Sequence, residues 1–542
     1  MTRICLGTSA NNVPIALSSG LLQTDVSARW GASCPRQGRL PPPVSTLDNF
    51  VASFLEFACW DHHVHGRGDY RMTEAAAMRI LRKHPDIARD SLSTAVVCGD
   101  LEEVERILAA RPELANQKGG PRGWEPILYL TYARLPTPAA RDNAIPIARA
   151  LLDRGANPNA YYMAGDAVYS ALTGVAGEGE QDAPPHPQRE ALYRFLLERG
   201  AGSYDIQVLY NTHFRGDVLW WLELTYAQAV KAGRKADWDD PDWPMFDMGG
   251  YGSGARFLLW VAIDKSRDVK LAEWLLSHGA NPDAAPAHDR RLPKGSLYED
   301  ALRYGHPDIA ELLVRYGARR TEPAQDDEDA FVRACFNVDR GPVETLLARH
   351  PAFRTSTKAL FAAAKHDRAD ALALLLDAGV SSELENARRQ RALHVAAGAN
   401  ALGAAAFLVE RGANIDPRDA VHNNTPLGYA VHYGHRPMID LLAPHSRDVW
   451  NLAYIGDVAR LRAVVAAEPR LATQISPRGI TPLWWLPDDE AAAAKIVDLF
   501  LSNGADPSVK ARDGSTAADY ARKRGLEEAA NKLDAFRRDH DS

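Results

Sequence analysis

One punctuation mark recurs along this chain, an apolar Leu-rich stretch closed by Gly-Ala, and it restricts the fold more than any other feature. It stands at Gly155-Ala156-Asn157-Pro158-Asn159, Gly200-Ala201, Gly279-Ala280-Asn281-Pro282-Asp283, Gly317-Ala318, Gly412-Ala413-Asn414-Ile415-Asp416 and Gly504-Ala505-Asp506-Pro507, with Gly379-Val380 as a variant. Glycine ends a helix in the left-handed conformation, where a Cβ would clash, and Asn-Pro or Asp-Pro then turns the chain outward. The marks lie 33 residues apart from Gly379 to Gly412, 38 from Gly279 to Gly317, and 62 from Gly317 to Gly379, the last fitting two slightly short units. That period is the period of a helix-pair solenoid, which lengthens by adding units and so accommodates 542 residues without one oversized core.

The front of the unit is clearest at Thr425-Pro426-Leu427-Gly428-Tyr429-Ala430, followed by Gly434-His435 and then Ile439, Leu441 and Leu442. Thr425 suits a helix cap, Pro426 the first helical turn where its missing N–H is harmless, and Ala430 a close helix contact. The same template recurs at Thr481-Pro482-Leu483, at Ala392-Leu393-His394-Val395-Ala396-Ala397 and at Thr516-Ala517-Ala518-Asp519-Tyr520-Ala521. This pattern strongly resembles the ankyrin repeat. A second flavour of unit ends on Pro, at His84-Pro85, Arg111-Pro112, His350-Pro351 and Glu468-Pro469. Together the marks predict roughly thirteen units between about residues 48 and 537. The resemblance implies an all-α solenoid of stacked helix pairs, with inner helices and hairpin tips facing a concave binding side.

Four segments are expected. Residues 1–46 are rich in Ser, Gly and Pro and read as a flexible leader; 47–116 hold a helical N-terminal cap and divergent repeats. Residues 117–320 hold repeats interrupted by insertions at 132–145, 174–190 and 206–253, and 321–542 hold repeats with a C-terminal cap. The third insertion is the largest, because 79 residues separate Gly200 from Gly279.

That insertion contains Trp238, Asp239, Asp240, Asp242, Trp243 and Phe246, then the glycine-rich stretch around Tyr251. Two readings stand. The rings pack the loop onto neighbouring helices, or they form rigid contact area beside wet carboxylates, suited to a basic or aromatic partner. Trp484 and Trp485, just after Thr481-Pro482-Leu483, fall on an inner helix and are further binding candidates. Trp220 and Trp221 sit in an apolar run and read as core.

Chemistry is sparse. Asp61-His62-His63-Val64-His65 is the most chemical-looking cluster, and Asp61-x-His63-x-His65 resembles the first metal motif of amidohydrolases. That family takes its remaining ligands from an eight-stranded barrel, which a helical array lacks. His62, His63 and His65 are therefore metal candidates of low standing, since zinc needs three or four convergent ligands. Gly249 to Gly254 lacks the preceding strand and following Lys-Ser of a phosphate loop. Neither G-x-S-x-G nor H-E-x-x-H occurs.

With 63 Lys and Arg against 70 Asp and Glu, the net charge of −7 provides no overall basic field for nucleic acid. The five cysteines are scattered without C-x-x-C spacing, which fits a reducing compartment, and no apolar run approaches the roughly 20 residues of a membrane helix. The expectation is an intracellular, cytoplasmic and bacterial adaptor or regulator, monomeric and without cofactor, that binds another protein and catalyses nothing. An effector or toxin-neutralising protein shares the same binding physics. A metal-dependent hydrolase built on His62, His63 and His65 is the rival of another class.

Overall fold

Each Gly-Ala mark closes a helix in the computed structural model, which describes residues 46–62, 73–165, 167–179, 183–248, 252–285, 295–321, 327–477 and 479–540. Gly155, Gly200, Gly279, Gly317, Gly379, Gly412 and Gly504 all take φ between 80° and 101°. Only a residue without Cβ adopts this conformation at no steric cost. Each Pro mark instead opens a single turn of 3-10 helix, at Pro85–Arg89, Pro112–Asn116, Pro351–Thr355 and Pro469–Thr473. Proline is at ease there because the first N–H of a helix has no partner to lose.

Two helices, α1 (Thr46–Ala58) and α2 (Thr73–Lys83), precede the stack. Thirteen helix pairs then follow among the described residues, from Leu92–Cys98 with Leu101–Ala110 to Ala517–Lys523 with Glu527–His540. In one pair the first helix shrinks to the 3-10 turn Pro482–Trp484. First helices stack on first helices in chain order. Thr425 caps its helix as expected, its hydroxyl accepting from the Gly428 N–H at 3.1 Å and donating to Asp448 at 2.7 Å in the next unit.

The region expected as an insertion at 206–253 is in its first part a regular unit, Ile206–Thr212 with Leu219–Lys231. Trp221 is buried there and donates its indole N–H to the Tyr193 hydroxyl at 2.8 Å. The irregular portion thus shortens to the connection after Lys231. A two-stranded antiparallel hairpin, Tyr161–Ala164 with Ala167–Ser170, adds strand that the sequence reading did not anticipate. Its alternation buries Tyr162 and Tyr169 while Tyr161 and Met163 face solvent, the period-2 pattern of a half-buried strand.

The buried residues fall into two clusters, one from Phe54 to Ala318 and one from Phe331 to Leu533. They join twice. In mid-chain, Lys365 pairs with Asp264 at 2.6 and 2.8 Å, and the Arg267 guanidinium donates to the carbonyls of His366 (2.8 Å) and Lys365 (3.0 Å). At the termini, Arg79 of α2 donates to the Arg524 carbonyl at 2.8 and 2.6 Å, and to the carbonyl (2.9 Å) and carboxylate (3.1 Å) of Asp488. Lys83 pairs with Glu527 at 3.1 Å and Lys523 with Glu56 at 3.5 Å. The first helices thus touch the last pair, and the stack closes on itself.

Candidate functional site

The connection after Lys231 makes two 3-10 turns, Lys235–Trp238 and Pro244–Phe246. Its rings point inward: Trp243 and Phe246 are fully buried and Trp238 nearly so. Trp238 meets Trp243 edge-on at 5.0 Å and Phe246 at 5.3 Å, and Tyr226 packs on it from the preceding helix at 5.0 Å. The reading of these three rings as contact area is therefore corrected. Each removes large apolar area from water and finds it a place in the core. Trp243 holds φ at +48°, a backbone state costing roughly 1–3 kcal/mol that its burial sustains.

The carboxylates of the same stretch behave as the sequence suggested. Asp237, Asp239, Asp240, Asp242 and Asp247 are all exposed. Asp240 accepts the Asp242 N–H at 3.0 Å, and the Asp242 carboxylate accepts from the Asn281 amide at 3.0 Å, which ties the tip to the next hairpin. Tyr204 donates to Asp237 at 2.9 Å. The result is an acidic tip on a rigid aromatic base. Tyr251 lies outside the described residues.

Of the candidate metal residues His62, His63 and His65, the structure describes His62, which sits among aromatic rings. His62 is buried, its ring stacked on Tyr169 at 4.6 Å, its backbone N–H donating to the Tyr162 hydroxyl at 3.2 Å. Asp61 pairs with Arg122 at 2.7 Å. These residues fasten the segment after α1 to the Tyr161–Ser170 hairpin, in a group with Trp60, Trp124 and Tyr132. Burial pushes the nearby Cys59 thiol up to about 12, which keeps it protonated and a poor ligand. His63 and His65 lie outside the described residues. Among the described residues, no group of three His, Cys, Asp or Glu is placed to hold a metal ion.

Trp484 and Trp485 are half-buried. Trp484 stacks on Tyr520 of the following unit at 5.6 Å, while Trp485 meets Trp450 at 6.3 Å and Tyr454 at 5.8 Å in the preceding one. They bridge neighbouring units and present partial ring surface, far along the chain from the acidic tip.

A feature the sequence reading missed lies where the stack curls inward. Turns between first and second helices converge from distant units around a cavity of about 1010 Å³. Its wall includes Glu74, Arg215, Asp264, Lys265, Arg267, Lys365 and Arg436, with Trp60, Phe214 and Tyr433. The available signal was a basic residue at or just past the end of a first helix, at Arg215, Lys265, Lys365 and Arg436. Nothing local indicates that these turns meet.

A family model for ankyrin repeats, in three copies, matches residues 331–419 and 360–453. A B-cell lymphoma 3 protein homolog of Mus musculus is 30% identical over 175 residues, which is 32% of this chain and 34% of the relative. The chain thus spans about a third of the length of the curated relative it matches. Among solved structures, an ankyrin repeat domain from Acinetobacter baumannii AYE is 24% identical, covering 33% of this chain and 98% of its own, with a TM-score of 0.24. A chain from the structure of a predatory endopeptidase from Bdellovibrio bacteriovorus in complex with an immunity protein is 21% identical, covering 38% of this chain and 97% of its own, also at a TM-score of 0.24. With the Gly-Ala and Thr-Pro-Leu marks in place, the chain is an all-α ankyrin-type solenoid that carries a family-matched core at 331–453. No helix among the described residues is long and apolar enough to cross a membrane.

Proposed function

We propose that this chain is a protein-binding adaptor or regulator whose specificity element is the acidic tip at 237–247, and that it recognises a basic segment of its partner. One observation supports this reading above the others. Five exposed carboxylates stand on a tip whose rings are locked in the core, so the charge is displayed without an ordering cost on binding. Charges at the rim of an interface act mainly on the association rate and on discrimination between partners. Trp484 and Trp485 supply a second contact area, since amphipathic aromatics are the usual anchors of protein interfaces. An effector or toxin-neutralising setting uses the same surface.

The test must spare the core. Deleting 236–253 would remove Trp238, Trp243 and Phe246 along with the charges, so neutralisation of the tip is the informative change. Affinity capture with the intact chain and with the Asp239→Asn/Asp240→Asn/Asp242→Asn variant, followed by binding kinetics on the recovered protein, reads the effect. The expected result is an association rate lowered about tenfold at low salt with dissociation little changed. Equal association rates for both chains would remove the tip from the interface.

A further inference from the structure

We propose that the central cavity is a binding site for a compact multivalent anion, of phosphate or polycarboxylate type, separate from the protein-binding tip. Its volume of about 1010 Å³ is at the upper end of the roughly 300–1,000 Å³ usual for small-molecule sites. Five cationic side chains line it, Arg215, Lys265, Arg267, Lys365 and Arg436, against two carboxylates, Glu74 and Asp264.

The internal pairings leave positive charge over at Lys265 and Arg267, which stand in no ion pair among the described residues. Asp264 is taken by Lys365 in a two-oxygen contact at 2.6 and 2.8 Å, and Arg436 pairs with Asp440 along its own helix at 2.9 Å. Arg267 donates to the backbone carbonyls of His366 and Lys365, and these bonds bring its charge to no carboxylate. The Lys265 ammonium lies 5.6 Å over the Trp260 ring. Burial first, then the neighbouring Lys365, lower its pKa, and burial, Lys365, Arg267 and Lys265 hold His366 down to about 2. Beyond burial, Lys265 thus stands close enough to Lys365 to be repelled by it, a repulsion that a bound anion relieves.

Helix dipoles do not explain the arrangement away. Each turn sets the negative end of a first helix beside the positive end of a second, so the two largely cancel and the side chains set the sign. Guanidinium forks and ammonium groups together are the donor set for phosphate and carboxylate oxygens. Because the wall draws on units from Glu74 to Arg436, the ligand would bridge parts of the stack that are remote in sequence.

Titration calorimetry on the full chain with sodium triphosphate and, separately, citrate tests the site at physiological ionic strength. Binding of either anion at one per chain is expected, weakened at least tenfold in Lys265→Gln and in Arg215→Gln and retained in Lys265→Arg. Triphosphate alone would identify phosphate as the preferred oxyanion; both would assign multivalent charge as the criterion. No heat with either anion on the unmodified chain overturns the proposal whatever the variants do, as does binding that Lys265→Gln and Arg215→Gln leave intact while circular dichroism shows them folded. Loss of binding in the exposed control Lys231→Gln would also overturn it.

Discussion

The two halves of the stack pack the same architecture with different residues. Among the described residues, the largest fully buried side chains are Trp221, Trp243, Arg256, Tyr129, Tyr132, Tyr193, Phe54, Phe246, Phe257, Phe331, Phe500 and Leu55, and of these only Phe331 and Phe500 lie beyond residue 320. Wholly buried alanines line the seams of both halves, Ala95, Ala171 and Ala310 in the first and Ala364, Ala396 and Ala430 in the second, so the large rings are what set the first half apart. Regular connections hold neighbouring helices close enough for alanine to fill the seam. Irregular ones open wider gaps that rings must occupy, since voids forfeit dispersion contacts. The family model matches within the later half, at 331–453.

The contrast breaks if truncation and enlargement cost the same in both halves. Trp243→Ala, in the ring-filled half, should lose about 3–5 kcal/mol in urea unfolding. A loss below about 1 kcal/mol would return Trp243 to the surface role first considered for it.

Acid sharpens the same comparison. Burial, with Arg134 for His186 and Lys265 for His213 adding to it, depresses both histidines to about 3. Unfolded histidine titrates near 6.5, so between 6.5 and 3 the unfolded chain binds a proton that the folded chain refuses. Stability is therefore full above pH 6.5 and falls as the pH drops, by about 1.4 kcal/mol per unit for each group. His186→Gln should flatten the acid limb by that slope; an unchanged limb would show that His186 titrates alike in both states.

Enlargement tests the other half. Ala396→Leu should cost about 1–3 kcal/mol through overpacking of the seam between first helices. A neutral result in thermal unfolding would mean that this seam contains slack. The smallest difference is expected at the helix caps. Ser253 and Thr425 each accept one N–H at the start of a first helix, at 3.2 and 3.1 Å. Alanine at either should cost about 1 kcal/mol, more at Thr425 because Asp448 then loses its hydroxyl donor.

Legibility followed the range of the physics involved. Gly-Ala and Pro marks act through local backbone conformation, so Gly412 and Pro469 could be placed at helix ends from the sequence alone. The pairs they delimit, and the Thr425 cap, follow from the same local rules. The fate of Trp238 and Trp243 depended on what the loop folds against, and Pro-Asp-Trp composition serves a packed loop and an exposed one equally. The hairpin at 161–170 left a readable trace in its Tyr-Tyr-Met-Ala and Ala-Val-Tyr-Ser flanks of Gly165-Asp166, which the helical period elsewhere obscured. The cavity left none. Arg215 and Arg436 line one cavity because a small rotation per unit accumulates over many units, a quantity no short stretch of sequence encodes.

The contact of Arg79 with Asp488 and Arg524 also bears on how such a molecule can evolve. An open row of repeats tolerates duplication or loss of a unit, because each unit answers only to its neighbours. Here a gained unit would carry the last pair past its docking place, and a lost one would leave it short. The number of units is thereby held to a single value while the residues within them drift, and the molecule's size becomes an inherited integer.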